Sequence, residues 1–159
     1  MDHPFNRDLQ NVLDADEAYD FLPEGSWLSG GCGLLAESLH RLISGSEIYL
    51  VGRLDQGIPD HVVVRLVYGN EAIYLDYSGV QTERELIAAW QAELPGVPVR
   101  LCSLSDALAA GLDTGEVLHQ QRLVAPFCRY LVNELGVVDA ERCNPDWEED
   151  YEECGPSPC

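Results

Sequence analysis

At 159 residues, 46% of them hydrophobic, the chain is long enough to bury one core without disulfides or a metal, and its length fits one domain. Nine basic against 28 acidic residues give a formal net charge of -19 at pH 7, which opposes binding to phosphate backbones or anionic lipid. The longest apolar stretches, Val62 to Val64 and Leu66 to Tyr68, fall far short of the ~20 residues that span a bilayer, so no membrane association is expected.

The chain begins Met-Asp-His-Pro-Phe-Asn, with no basic n-region and no apolar h-region, which predicts a cytoplasmic address. Leu9, Val12 and Leu13 within Asn6 to Asp20 predict an N-terminal helix, which Pro23-Glu-Gly-Ser-Trp-Leu-Ser-Gly-Gly interrupts. Ala36, Leu39 and Ile43 then follow Cys32 at helical spacing, so Cys32 is expected to open a second helix on its buried face. Ser44-Gly-Ser closes it. Glu47 to Leu54, Asp60 to Val67 and Glu71 to Tyr77 read as three strands. Thr82 with Glu85 forms a capping box for a helix whose apolar face is Leu86, Trp90 and Leu94. A short strand near Val99 to Ser103, a brief helix from Ser105 and a helical segment from Glu116 to Leu135, broken at Pro126, follow. The fold class is α+β, with one domain over 1–138 and an acidic, flexible tail over 139–159.

The six cysteines of a cytosolic chain read as reduced thiols rather than a disulfide framework. Cys102 and Cys128 sit in apolar segments as small core residues, while Cys143, Cys154 and Cys159 lie in the tail without zinc-site spacing. No metal and no cofactor is expected. Cys32 is different, because a thiol at a helix N-terminus meets the positive end of the helix dipole and unpaired N–H groups, both of which favour the thiolate. Gly30 and Gly31 before it allow close approach of a substrate or of the chain itself, and the Cys32 N–H can donate to an oxyanion.

Strand parity supplies the partners. If Gly69-Asn70 is a two-residue turn, facing residues sum to 139, and one face collects Val62, Val64, Leu66, Ile73, Leu75 and Tyr77. The other collects His61, Val63, Arg65, Tyr74, Asp76 and Ser78, with His61 and Asp76 diagonal neighbours about 7–8 Å apart at the backbone. That face, through Val63 and Tyr74, is expected to pack on the helix led by Cys32. An imidazole steadied by a carboxylate can take a proton from a thiol. The bland alternative has His61 bonded locally to Asp60 and Asp76 merely opening the turn toward Gly79. His40, about 12 Å along the helix from Cys32, is too distant to activate it. His119 reads as solvated and His3 as part of a mobile terminus, and Trp27 is either core or groove lining.

Gly-Gly-Cys-Gly-Leu-Leu-Ala-Glu-Ser-Leu-His, Asp-His-Val-Val-Val and Tyr-Leu-Asp-Tyr-Ser-Gly-Val resemble, in that order, the Cys, His and Asp motifs of the papain-like superfamily. Within it, the small transglutaminase-like and NlpC-like proteins of bacteria and phages look most similar, over about residues 26–95. The resemblance implies Cys32 as nucleophile, His61 as general base and Asp76 as orienter of acyl transfer: amide, peptide or isopeptide hydrolysis, deamidation or transamidation. Papain has a Gln just upstream of its Cys for the oxyanion hole. No Gln lies between Gln10 and Cys32 here, so Ser29, Asn11 or a backbone N–H takes that place.

Two classes of function follow. One is a thiol-dependent acyl-transfer enzyme acting on a protein or peptide, with the acidity steering a basic substrate. The other is a non-catalytic acidic binding or inhibitor protein of phage or mobile-element type, which keeps the fold and uses runs such as Glu148 to Glu153 to occupy a basic partner.

Overall fold

The computed structural model describes residues 1–22, 25–115, 117, 118 and 120–146. Its elements, in chain order, are α1 (Pro4–Leu13), α2 (Asp16–Tyr19), α3 (Cys32–Leu42), β1 (Glu47–Arg53), β2 (Ile58–Tyr68), β3 (Glu71–Asp76), β4 (Gly79–Thr82), α4 (Glu83–Glu93), β5 (Arg100–Ser103), α5 (Leu104–Ala109) and α6 (Gln121–Leu135). The strands form one antiparallel five-stranded sheet in the order β4-β3-β2-β1-β5, which makes the fold α+β. His119, the Glu148 to Glu153 run, Cys154 and Cys159 lie outside the described residues.

The predicted hairpin register is the one observed. Tyr68 pairs Glu71 and Val64 pairs Leu75, so both strands alternate as parity requires. Val62, Val64, Leu66, Ile73 and Leu75 face one apolar cluster, and Val63 and Tyr74 face a second. The first is the main core. It is filled by α3, whose buried Leu34, Leu35, Ala36, Ser38 and Leu39 leave it little solvent face, and by Phe5, Leu9 and Leu13 of α1 and Phe127 and Leu131 of α6. A helix apolar nearly all round has to sit inside. The second cluster is closed by α4 through Leu86, Ile87 and Trp90. Its start is fixed by the Thr82–Glu85 capping box, a device worth about 1 kcal/mol.

This corrects one expectation: the strand face carrying Val63 and Tyr74 packs on α4, and the helix led by Cys32 packs on the opposite face. Four further differences have identifiable causes. Gly79–Thr82 is too short and too polar to read as a strand, yet the tight turn at Tyr77-Ser78 folds it back onto β3, with Asp76 opposite Gly79. Pro126 does not break α6, because Val124, Phe127, Cys128 and Leu131 bury one continuous stripe around it, which outweighs the single backbone hydrogen bond that proline removes. Residues 139–146 do not behave as a free tail. Cys143 is buried beneath Tyr68, whose hydroxyl donates to the Ala140 carbonyl, and Arg142 reaches Asp8 at 3.0 Å and the carbonyls of Leu135 and Val137. His3, read as terminal and mobile, is buried: it caps α1 through the Phe5 N–H and meets the Asn144 carbonyl at 3.0 Å.

Candidate active site

The segment before α3 is held tightly. Ser26 and Ser29 exchange backbone hydrogen bonds of 2.7 and 3.1 Å, and the Gly31 N–H donates to the Ser26 carbonyl at 3.0 Å. Trp27 is core rather than groove: its Nε1 donates to the Leu13 carbonyl at 2.8 Å and its ring stacks on Phe127 at 5.1 Å. The glycines serve close approach by the chain itself. Gly30 takes φ 93°, which favours glycine, and a Cβ on Gly33 would lie 1.6 Å from the Val117 carbonyl oxygen. Gly31 caps α3 without a side-chain hydrogen bond, so the first turn keeps its N–H groups for other acceptors.

The structure brings Cys32, His61 and Asp76 together, although α3, which carries Cys32, packs on one side of the sheet and the His61 ring stacks on α4 on the other. The reason lies in the β2–β3 ladder, which ends at Val64–Leu75. Residues 61–63 of β2 have no β3 partner, and Cys32 sits beside that opening, where the Val62 and Gly33 N–H groups act to lower its pKa. A bulge between Val51 and Gly52 lets β1 follow β2 past this point. Asp60, next to the bulge, is committed to Arg53, with Oδ2 accepting from the Arg53 N–H at 2.9 Å and from Nε at 3.0 Å, and Oδ1 accepting from Nη2 at 2.6 Å. It is therefore not the partner of His61.

His61 instead donates from Nε2 to Asp76 Oδ2 at 2.8 Å, and the Asp76 Oδ1 accepts from the Ser78 N–H at 2.7 Å. Asp76 thus opens the β3–β4 turn and orients the imidazole with its two oxygens separately. With Nε2 taken, Nδ1 is the ring nitrogen left for Cys32. It is buried and has no hydrogen-bond partner. His61 is fully buried and its ring stacks on Trp90, centroids 4.7 Å apart.

Burial works to raise the Cys32 thiol's pKa, but hydrogen bonding and charge from His61, with the Val62 and Gly33 N–H groups, outweigh it and hold the thiol below its ordinary value. For His61, burial works downward, while Asp76 and Cys32 together prevail and push the imidazole up. Each of the two groups favours the charged form of the other. The other described cysteines go the opposite way: burial raises Cys102 and Cys128, and pushes Cys143 up to about 12.

Beside Asp76 lies a cavity of about 560 Å³, lined by Leu28 and Ser29 from the segment before α3, by Ser78 and Gln81, and by α4. Of the side chains named above for the oxyanion, Ser29 borders this cavity, whereas Asn11 is exposed on α1. Gln81 and Trp90 had no functional signal in the sequence. Gln81 lies in an unrecognised strand, and Trp90 read only as one member of a helical stripe. His40 is exposed and its Nδ1 pairs with Ser46 Oγ at 2.9 Å, remote from the thiol. Among the described residues no group of three or more His, Cys, Asp and Glu is placed to hold a metal ion, and no helix is long and apolar enough to cross a membrane. Comparison with protein-family models, curated proteins and solved structures finds no significant match. The chemistry of the site is therefore argued from this chain's residues.

Proposed function

We propose that the protein is a thiol-dependent acyl-transfer enzyme with a papain-like core, acting on an amide or isopeptide of a protein or peptide. The observation that carries this reading is the buried His61, bonded through Nε2 to Asp76 at 2.8 Å and set beside the Cys32 thiol, whose pKa it lowers. A neutral histidine filling a core needs no such pair of neighbours.

In this reading the Cys32 sulfur attacks the substrate carbonyl carbon, forming an S–C bond and a tetrahedral oxyanion within reach of the Cys32 N–H. Collapse breaks the C–N bond, and the proton on His61 goes to the departing nitrogen. Water or an amine then attacks the thioester, gives its proton to His61 and releases Cys32. Asp76 holds the tautomer and the ring orientation throughout. The net charge of -19 favours a basic substrate.

The test is alkylation by iodoacetamide at pH 7, followed by peptide mass analysis. An ordinary thiol of pKa about 8.5 is about 3% ionised at that pH, so full ionisation raises the reactive fraction about 30-fold. Cys32 is expected to react faster than Cys102, Cys128 and Cys143, and the His61→Ala variant to lose that advantage. Equal rates at Cys32 and Cys102, unchanged by His61→Ala, would remove the nucleophile and with it the reaction.

A further inference from the structure

The cavity beside Asp76 is within the size range of small-ligand pockets, and the site chemistry above does not use its most unusual group. Gln81 lies on β4 opposite Tyr74, on the same sheet face as His61 and Asp76. It is 8% exposed and lines the cavity, and its Nε2, itself buried, has no hydrogen-bond partner. Leaving a buried amide N–H unpaired costs about as much as a good hydrogen bond returns, so a ligand that meets the Nε2 once the amide plane has rotated toward the cavity gains what folding leaves unmet.

The surroundings narrow the chemistry of that partner. The wall is apolar, made by Leu28, Leu86, Ala89, Trp90 and Leu94. The polar lining contains Asp60, Asp76 and Glu93 and no basic residue, and Asp60 and Asp76 are already committed to Arg53 and His61. An anion entering would meet Glu93 with no basic residue in the lining to offset it, since Arg53 and His61 are already engaged by Asp60 and Asp76. A carboxamide offers a donor and an acceptor side by side, and rotation of its terminal plane exchanges which of them faces the cavity. The ligand group that uses both is another amide.

We propose that this cavity is a binding subsite for a neutral amide, with Gln81 pairing with the amide and the α4 wall covering the attached carbon chain. As the place that holds the substrate of acyl transfer, the subsite rests on the functional reading above; as a binding site it does not require Cys32. Asp76, which holds His61, lines the cavity, as does Ser29, three residues before Cys32, whereas Cys32 and His61 themselves do not.

The experiment uses the 15N-labelled full chain and follows the Gln81 side-chain NH2 resonances, assigned by their loss in Gln81→Leu. Three probes are titrated: butyramide, N-acetyl-alanine methylamide and sodium butyrate. They separate a primary carboxamide, a backbone amide and an anion of similar size. Saturable shifts are expected with at least one of the amides and not with butyrate. Gln81→Leu is expected to weaken binding, read at the surrounding backbone amides, about tenfold. Ala89→Phe, on the exposed side of α4 and harmless to the core, is expected to block it. Absence of a saturable shift at Gln81, equal binding of butyrate, or binding unchanged in both variants overturns the proposal. Repeating the titration in Cys32→Ala keeps the two questions apart: an inert thiol leaves amide binding intact, and a failed subsite leaves Cys32 alkylation intact.

Discussion

Removing the sulfur should change how stability depends on pH, and the sign follows from the two opposed pKa shifts. His61 is raised in the folded protein, so on its own it contributes stability that is complete below its unfolded value of about 6.5 and is lost as pH rises through its folded value. Cys32 is lowered, so on its own it contributes stability that is complete above the ordinary thiol value of about 8.5 and is lost as pH falls through its folded value. With Cys32 ionised beside His61, as the proposed function requires, the folded pair between about pH 6.5 and 8.5 is thiolate plus imidazolium, and the unfolded pair is thiol plus imidazole. Both hold one proton, so the pair adds no slope in that window. Cys32→Ala takes away the compensating partner and leaves Asp76 alone to hold the imidazole up against its burial. The variant's stability should then fall as pH rises from 6.5, with a slope approaching about 1.4 kcal/mol per pH unit until the folded imidazole deprotonates. For a chain of this size that is about 3–6 °C in melting temperature per pH unit. Thermal melts of the wild type and Cys32→Ala across pH 6 to 9 measure it, and the difference between the two cancels every other titrating group. Parallel profiles between pH 6.5 and 8.5 would mean that Cys32 is not ionised beside His61, and the reasoning would fail.

Gly33→Ala should destabilise the protein by about 1–3 kcal/mol in urea unfolding, because its Cβ lands 1.6 Å from the Val117 carbonyl oxygen and backbone has to move; a neutral result would contradict that packing. Phe127→Ala should cost about 3–5 kcal/mol by the same measurement, since the fully buried ring touches Phe21, Trp27 and Tyr130 at centroid distances of 5.3, 5.1 and 5.9 Å. Because Trp27 anchors the segment leading to Cys32, Phe127→Ala should also slow Cys32 alkylation at pH 7.

Much of the fold was readable because local signals agreed with one another. The capping box of Thr82 and Glu85 began a helix as expected, the spacing behind Cys32 placed the thiol at a helix start, and one turn at Gly69-Asn70 fixed the alternation of two strands. What escaped depended on packing that sequence windows do not contain. Gly79–Thr82 is a strand only because β3 is beside it, and residues 139–146 are held by Asp8, Tyr68 and the end of α6, far away in sequence. Pro126 signalled a break that the buried stripe of α6 overrides.

The candidate site shows where parity reasoning works and where it stops. Alternation places His61 and Asp76 on one face, and the 2.8 Å hydrogen bond between them is its direct consequence. The same logic assigned the Cys32 helix to that face, through packing on Val63 and Tyr74. The three residues instead meet at the end of the β2–β3 ladder, where the sheet has an opening. There the backbone N–H of Val62 is free to meet a sulfur from the α3 side while the imidazole comes from the α4 side. The length of a ladder, unlike the direction of a side chain, depends on where two strands part. Here that point is set by Asp76, whose carboxyl draws β3 into the turn at Ser78 and reaches across to His61 in the same step.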